Sequence, residues 1–179
     1  AVLQARDHVG GDFFLCQLGD TLFSGSPQPA AQLVEAAGRL GASVIGLEEV
    51  PPEKVGRYGI VGGAKIGDGL FRLDRLVEKP SPSAAPSRLA IAARYVLSPA
   101  IFECLERTPS GKGGEIQLTD ALRLLLEREP VHGVILHARR HDIGDPIDWL
   151  RTNLALAWRD DAVRAAIEPM IREWMSRES

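Results

Sequence analysis

The chain has 179 residues, 45% of them hydrophobic and 25% charged, which is enough apolar content for one sizeable core. A formal net charge of -3 and a pI near 5.8 argue against nucleic acid or an anionic membrane as the main partner. No apolar run approaches the roughly 20 residues of a spanning helix, and no basic segment leading into an apolar one opens the chain, so a cytoplasmic location is the simplest expectation.

The sequence begins at Ala1 with few residues before its first strong strand pattern, which suggests a trimmed or partial chain. "DFFLCQLGD" (12 to 20) is an apolar run closed by Gly and Asp, the pattern of a buried strand ending in a turn. "PAAQLVEAAGRLG" (29 to 41) sets Leu33, Ala36, Ala37 and Leu40 on one helical face, with Pro29 in the first turn and Gly41 as the stop. "ASVIGLEEV" (42 to 50) is a second strand. Strand, helix and strand in succession predict an α/β fold with a mostly parallel mixed sheet flanked by helices.

"PPEKVGRYGIVGG" and the following "GGAKIGDG" predict a hairpin set into that sheet. "LFRLDRLVEK" (70 to 79) and "LAIAARYVL" (89 to 97) are further strands, bridged by the loop "PSPSAAPS". "SPAIFECLERT" predicts a helix with Ser98 as N-cap and Pro99 behind it. "GEIQLTDALRLLLERE" (114 to 129) predicts another, with Ile116, Leu118, Leu122, Leu125 and Leu126 facing the core. A strand over 131 to 138 follows, then a helix over 145 to 160 capped by Asp145, with Ile147, Leu150, Leu154 and Trp158 on its buried side. Residues 161 to 179 are predicted as a helical tail, separate from one domain over 1 to 160. Trp174 on that charged tail hints at a subunit contact, hence a possible homo-oligomer.

Asp20 and Asp142 each follow a predicted strand beside a glycine, the edge at which open α/β sheets bind ligands. Two carboxylates there suit Mg2+, which takes one or two carboxylates together with substrate phosphates; an Asx-type turn after each strand is the alternative. Glu78 and Lys79 are neighbours on a strand, so their side chains are expected on opposite faces, each with a partner other than its neighbour. They read either as an exposed strand end or as a carboxylate for ligand hydroxyls beside a point charge for a phosphate. Gly59 in "RYGIV" is either a plain turn glycine or a point of close backbone approach.

His132 and His137 differ by an odd number within one predicted strand and cannot share a metal ion there. Cys16 and Cys104 are expected to be buried, reduced thiols. "GKGGE" (111 to 115) lacks a phosphate-loop pattern and reads as a lead-in to a helix.

The segments "LGD", "VIGLEEVPPEKVGRYGIV", "LVEKPSPSAAPSRLAIAARYVLSPAIFECLERTPSGKGGEIQLTDAL" and "RRHDIGDPIDWLRTNLALAW" together closely resemble the bacterial UTP–glucose-1-phosphate uridylyltransferases over about residues 1 to 160. The resemblance implies a nucleotide-diphospho-sugar transferase-like fold. The first strands and glycine-rich loop of that fold do not occur in this sequence, which would carry the C-terminal two-thirds of the domain. It implies nucleotidyl transfer from UTP to glucose 1-phosphate, with Asp20 and Asp142 holding Mg2+, and those two with Lys79 as the catalytic set. Gly59, Glu78 and Tyr95 would bind the sugar and Lys79 its phosphate. The isolated chain is expected to be inactive, and one sheet edge to lie bare. Alternatives are a glucose-1-phosphate thymidylyltransferase-like enzyme and a non-catalytic sugar-phosphate-binding remnant or regulatory module. Thr21, Arg88 and Ala93 depart from the pattern, which expects a second acid, an Asn and a Gly there.

Overall fold

The computed structural model describes residues 1–111 and 114–177, and these form two compact units. The first contains Ala1–Leu18 and Gly25–Ala138; the second contains Gly19–Ser24 and the chain from Arg139 onward. In chain order the first unit carries α1 (Arg6–Val9), β1 (Phe14–Gln17), α2 (Pro29–Leu40), β3 (Ser43–Glu49), β4 (Gly59–Gly67), β5 (Leu70–Glu78), β6 (Leu89–Leu97), α3 (Ala100–Arg107), α4 (Leu118–Leu126) and β7 (Val131–Ile135). The second carries β2 (Thr21–Ser24), β8 (Arg139–Asp142), α5 (Pro146–Ala157) and α6 (Asp161–Arg177).

The first unit is a six-stranded sheet in the order β1-β6-β3-β7-β5-β4, flanked by helices, and the α/β expectation holds. Its expected parallel character does not. Among the described residues only β3 and β7 pair in parallel, and every other ladder is antiparallel. The crossover from β1 through α2 to β3 does return in the same direction, but β6 inserts between them, antiparallel to both. Apolar periodicity reports which residues are buried, not which strand lies alongside.

Local signals place most elements well. Pro29 supplies the first turn of α2, and Gly41 ends it in the left-handed conformation (φ 61°) that a side chain would strain. Leu33, Ala36 and Ala37 of its inner face are buried, and the helix packs on β3 and β6. The main core joins Ile45, Leu47, Val61 and Leu97 of the sheet to Ile101, Phe102, Leu122 and Leu125 of α3 and α4. Burial of each such side chain contributes about 1.5–3 kcal/mol. Phe14 and Phe102 stack within it at 5.2 Å. Cys104 is buried and Cys16 half-buried; both are unpaired thiols whose pKa burial raises.

Other elements differ from expectation. Ser98 does not cap α3, because its hydroxyl donates to Glu129 at 2.7 Å, as does that of Ser43 at 2.9 Å. Helix α4 starts only at Leu118, which leaves Ile116 outside it and exposed. The lead-in "GKGGE" includes Lys112 and Gly113, which lie outside the described residues. The hairpin of β4 and β5 forms as expected, with the register shifting at Gly62 and Gly63.

The expected strand over 131 to 138 stops at Ile135, still within the first unit, and in the second unit β8 pairs antiparallel with β2. Neither four-residue strand has an alternating pattern long enough to stand out. Asp145 caps α5 as expected, accepting from the amides of Ile147 and Asp148. The expected inner face of that helix is open instead: Ile147, Leu150, Leu154 and Trp158 are all exposed, Ile147 by 58%. A two-stranded ribbon offers too little surface to cover them.

Candidate active site

Apart from Tyr95, the residues implied by the resemblance gather into two clusters, one in each unit. In the first unit Gly59 and Glu78 are direct partners across β4 and β5. A side chain on Gly59 would place its first carbon 3.2 Å from Glu78 Oε2 and 3.1 Å from Ile91 Cδ1, so the absence of one lets the carboxylate lie over the strand. The Thr119 methyl, at the start of α4, is 3.5 Å from the same point. Neither Ile91 nor Thr119 stood out singly; the signal for both was their place in the "LAIAARY" and "EIQLTDA" segments.

Lys79 overturns the expectation that it and Glu78 find separate partners. It leaves the strand with φ 45°, so alternation of faces ends at Glu78, and its Nζ returns to 3.7 Å from Glu78 Oε1. Its backbone N–H donates to the Tyr58 carbonyl at 3.1 Å, and the buried Pro80 follows. The left-handed conformation costs a non-glycine residue about 1–2 kcal/mol, and such strain gathers at functional positions. The ion pair is exposed and worth about 0–1 kcal/mol, so little holds the ammonium against a better anion.

Tyr95 lies apart from that contact, buried on β6 opposite Cys16 and Ile45. Between the Ile45–Tyr95 and Leu47–Ile91 pairs, β6 carries the bulge Ala92, Ala93, Arg94 against Gly46 alone. Ala93 sits in it with φ 54°, a conformation that favours the glycine expected there. Arg88, where an Asn was expected, pairs with Glu49.

The second cluster rests on the β2–β8 ribbon. Asp20 lies in the turn just before β2 and Asp142 is the last residue of β8, opposite Thr21; the Ile143 amide donates to the Asp20 carbonyl at 2.9 Å. Both carboxylates turn toward Gly144: a carbon built on it would lie 3.5 Å from Asp142 Oδ1 and 3.7 Å from Asp20 Oδ2. The Gly144 amide donates to Asp142 Oδ1 at 3.1 Å, and Thr21 Oγ1 makes a long contact of 3.4 Å to Asp20 Oδ1. Neither aspartate has an ion-pair partner among the described residues. Two adjacent carboxylates without a cation fit a hard divalent ion that draws its remaining ligands from water and phosphate. No group of three or more metal-binding side chains occurs among the described residues.

Behind the ribbon, His141 is buried, with Nε2 2.8 Å from Ser24 Oγ. Burial, then the charges of Arg139 and Arg159, lower its pKa.

Residues 1–159 match the nucleotidyl transferase family. A Methanocaldococcus jannaschii protein is 43% identical over 156 residues, 87% of this chain and 54% of the relative. The UTP–glucose-1-phosphate uridylyltransferase YngB of Bacillus subtilis is 35% identical over the whole chain and 60% of its own length. The crystal structure of a UDP-glucose pyrophosphorylase complexed with UDP-glucose superposes with a TM-score of 0.84 at 32% identity, covering 89% of this chain and 61% of that one. The chain thus spans rather more than half the length of the relatives it matches. With a match over nearly its whole length, a helix-flanked mixed sheet and the family's segments in order, the chain belongs to the nucleotidyl transferase family.

Proposed function

We propose that the chain serves transfer of a uridylyl group from UTP to glucose 1-phosphate, giving UDP-glucose and pyrophosphate. The observation that carries this reading is the pair of cation-free carboxylates, Asp20 and Asp142, brought together at Gly144 by the β2–β8 ribbon. In the reaction a phosphate oxygen of the sugar phosphate bonds to the α-phosphorus of UTP as the bond to the bridging oxygen breaks, and that oxygen leaves with pyrophosphate. Catalysis of such a step rests on positioning and on neutralising charge rather than on covalent help.

Asp20 and Asp142 would hold Mg2+, which when bound neutralises phosphate charge. Gly59 and Glu78 bind sugar hydroxyls, the carboxylate accepting their hydrogen bonds. Lys79 releases its weak pair with Glu78 and turns its ammonium to the sugar phosphate. Tyr95, buried on β6, would help wall the sugar pocket. This reading is supported by the activity for which the Bacillus subtilis relative is named and by the UDP-glucose bound in the solved neighbour.

Since this sequence does not contain the family's glycine-rich nucleotide segment, the isolated chain is expected to bind sugar phosphate and metal without turning over. Pyrophosphate release from UTP and glucose 1-phosphate, measured on this chain, tests that expectation, and robust turnover refutes it. Calorimetry with glucose 1-phosphate tests the site itself: Lys79→Ala should weaken binding about tenfold or more, the scale of a charge-assisted contact, with an unchanged circular dichroism spectrum. Unchanged affinity would remove Lys79 from the site.

A further inference from the structure

Where β3 and β7 begin, the first unit contains a cavity of about 510 Å³ that shares no residue with either cluster above. Its polar lining is Arg72, Glu129 and His132, and Phe13, Ile66 and Pro130 are among its apolar walls. Arg72 and His132 are direct partners across the antiparallel β5–β7 ladder, so their side chains share one face of the sheet.

His132 is only 8% exposed, yet its Nδ1 is sealed from solvent and has no hydrogen-bond partner among the described residues. Being sealed, that atom is out of reach of an occupant of the cavity, which His132 lines with the rest of its ring. The ring is neutral, because burial and then the Arg72 charge push the His132 pKa below its ordinary value. The Arg72 guanidinium is exposed and has no ion pair or hydrogen bond among the described residues. Glu129 is engaged elsewhere, its Oε1 accepting from Ser43 and Ser98. One cation without a partner among the described residues, one neutral ring beside it on the same sheet face and apolar walls meet in a space of the size that small-molecule sites occupy.

We propose that this cavity binds a small organic monocarboxylate, its carboxylate paired with Arg72 and within reach of the His132 ring, its apolar body against Phe13, Ile66 and Pro130. A singly charged group fits better than a phosphate dianion, since Glu129 places a negative charge on the same lining. The site is independent of the uridylyl-transfer reading, and its test involves neither nucleotide nor sugar.

The test uses the full chain with benzoate as probe, following the imidazole resonances of His132 by NMR and affinity by calorimetry. Benzyl alcohol and inorganic phosphate are the comparators. Benzoate should give a saturable shift of the His132 ring that benzyl alcohol and phosphate do not. Arg72→Gln should weaken benzoate binding about tenfold or more, as expected for loss of a charge-assisted contact, whereas Arg72→Lys should retain part of it. Arg72 is exposed, and an unchanged circular dichroism spectrum identifies variants that keep the fold. The proposal is overturned if benzoate causes no saturable shift, if phosphate binds more tightly than benzoate, or if folded Arg72→Gln and wild type bind alike.

Discussion

Ala93 gives the sharpest quantitative test of the fold around the candidate sugar site, through paired replacements of Ala93 and Ala92 by glycine. Ala92 is fully buried and Ala93 8% exposed, so each substitution removes a methyl worth about 0.8 kcal/mol. Each also frees the unfolded chain, at about 0.5–1 kcal/mol. Only Ala93 has a positive φ, 54°, and glycine there relieves about 1–2 kcal/mol of left-handed strain. Ala92→Gly is therefore expected to destabilise by about 1.5 kcal/mol, while Ala93→Gly stays within about 0.5 kcal/mol of wild type. Urea denaturation of the three proteins, with equal slopes as the condition for comparison, reads the difference directly. If Ala93→Gly loses as much as Ala92→Gly, the left-handed conformation carries no strain and the reasoning fails. If the difference appears, the methyl of Ala93, rather than a changed backbone path, is what separates this chain from the glycine expected there.

The other predictions concern binding and pH. Gly59→Ala should leave stability near wild type but push Glu78 off the strand by a few tenths of an ångström, lowering glucose 1-phosphate affinity about tenfold, or 1.4 kcal/mol; equal affinity by calorimetry would show that Glu78 takes no part. Mn2+ is expected to give a relaxation enhancement with the wild-type chain that Asp20→Asn and Asp142→Asn each abolish, and its absence from the wild type or persistence in both variants would place the metal elsewhere. His132 and His141 both have lowered pKa values, through burial first and nearby arginines second, so the unfolded chain takes up protons before the folded one. The stability they contribute is complete above the ordinary histidine value of about 6.5 and is lost as pH falls below it toward the folded values. Replacing both by Gln should flatten the denaturation midpoint against pH below that value, and an unchanged acid slope would refute the assignment.

What the sequence by itself determined is chiefly local. Pro29 and Gly41 bound α2, Asp145 with Pro146 opens α5, and the nine-residue apolar run Leu89–Leu97 is β6 to the residue. These follow from backbone chemistry within a few residues, where capping, proline geometry and side-chain period act without help from the rest of the chain. Family membership was legible too, because its segments are specific in combination.

Tertiary structure alone decided how those pieces meet. The β2–β8 ladder joins Asp20 to Asp142 across more than a hundred residues, through two strands too short to show a period. Strand β6 inserts between β1 and β3, which replaces an expected parallel sheet by a largely antiparallel one. The apolar stripe of α5 stays exposed although the helix packs on β8 of its own unit, and periodicity cannot report what a face will find. Even the adjacent pair Glu78 and Lys79 escaped the strand rule, since a single φ of 45° at Lys79 ended the alternation and brought the two charges together. Pairing between distant strands and one residue's departure from regular geometry are both settled by the whole packed chain, which is why neither could be read from the local order of residues.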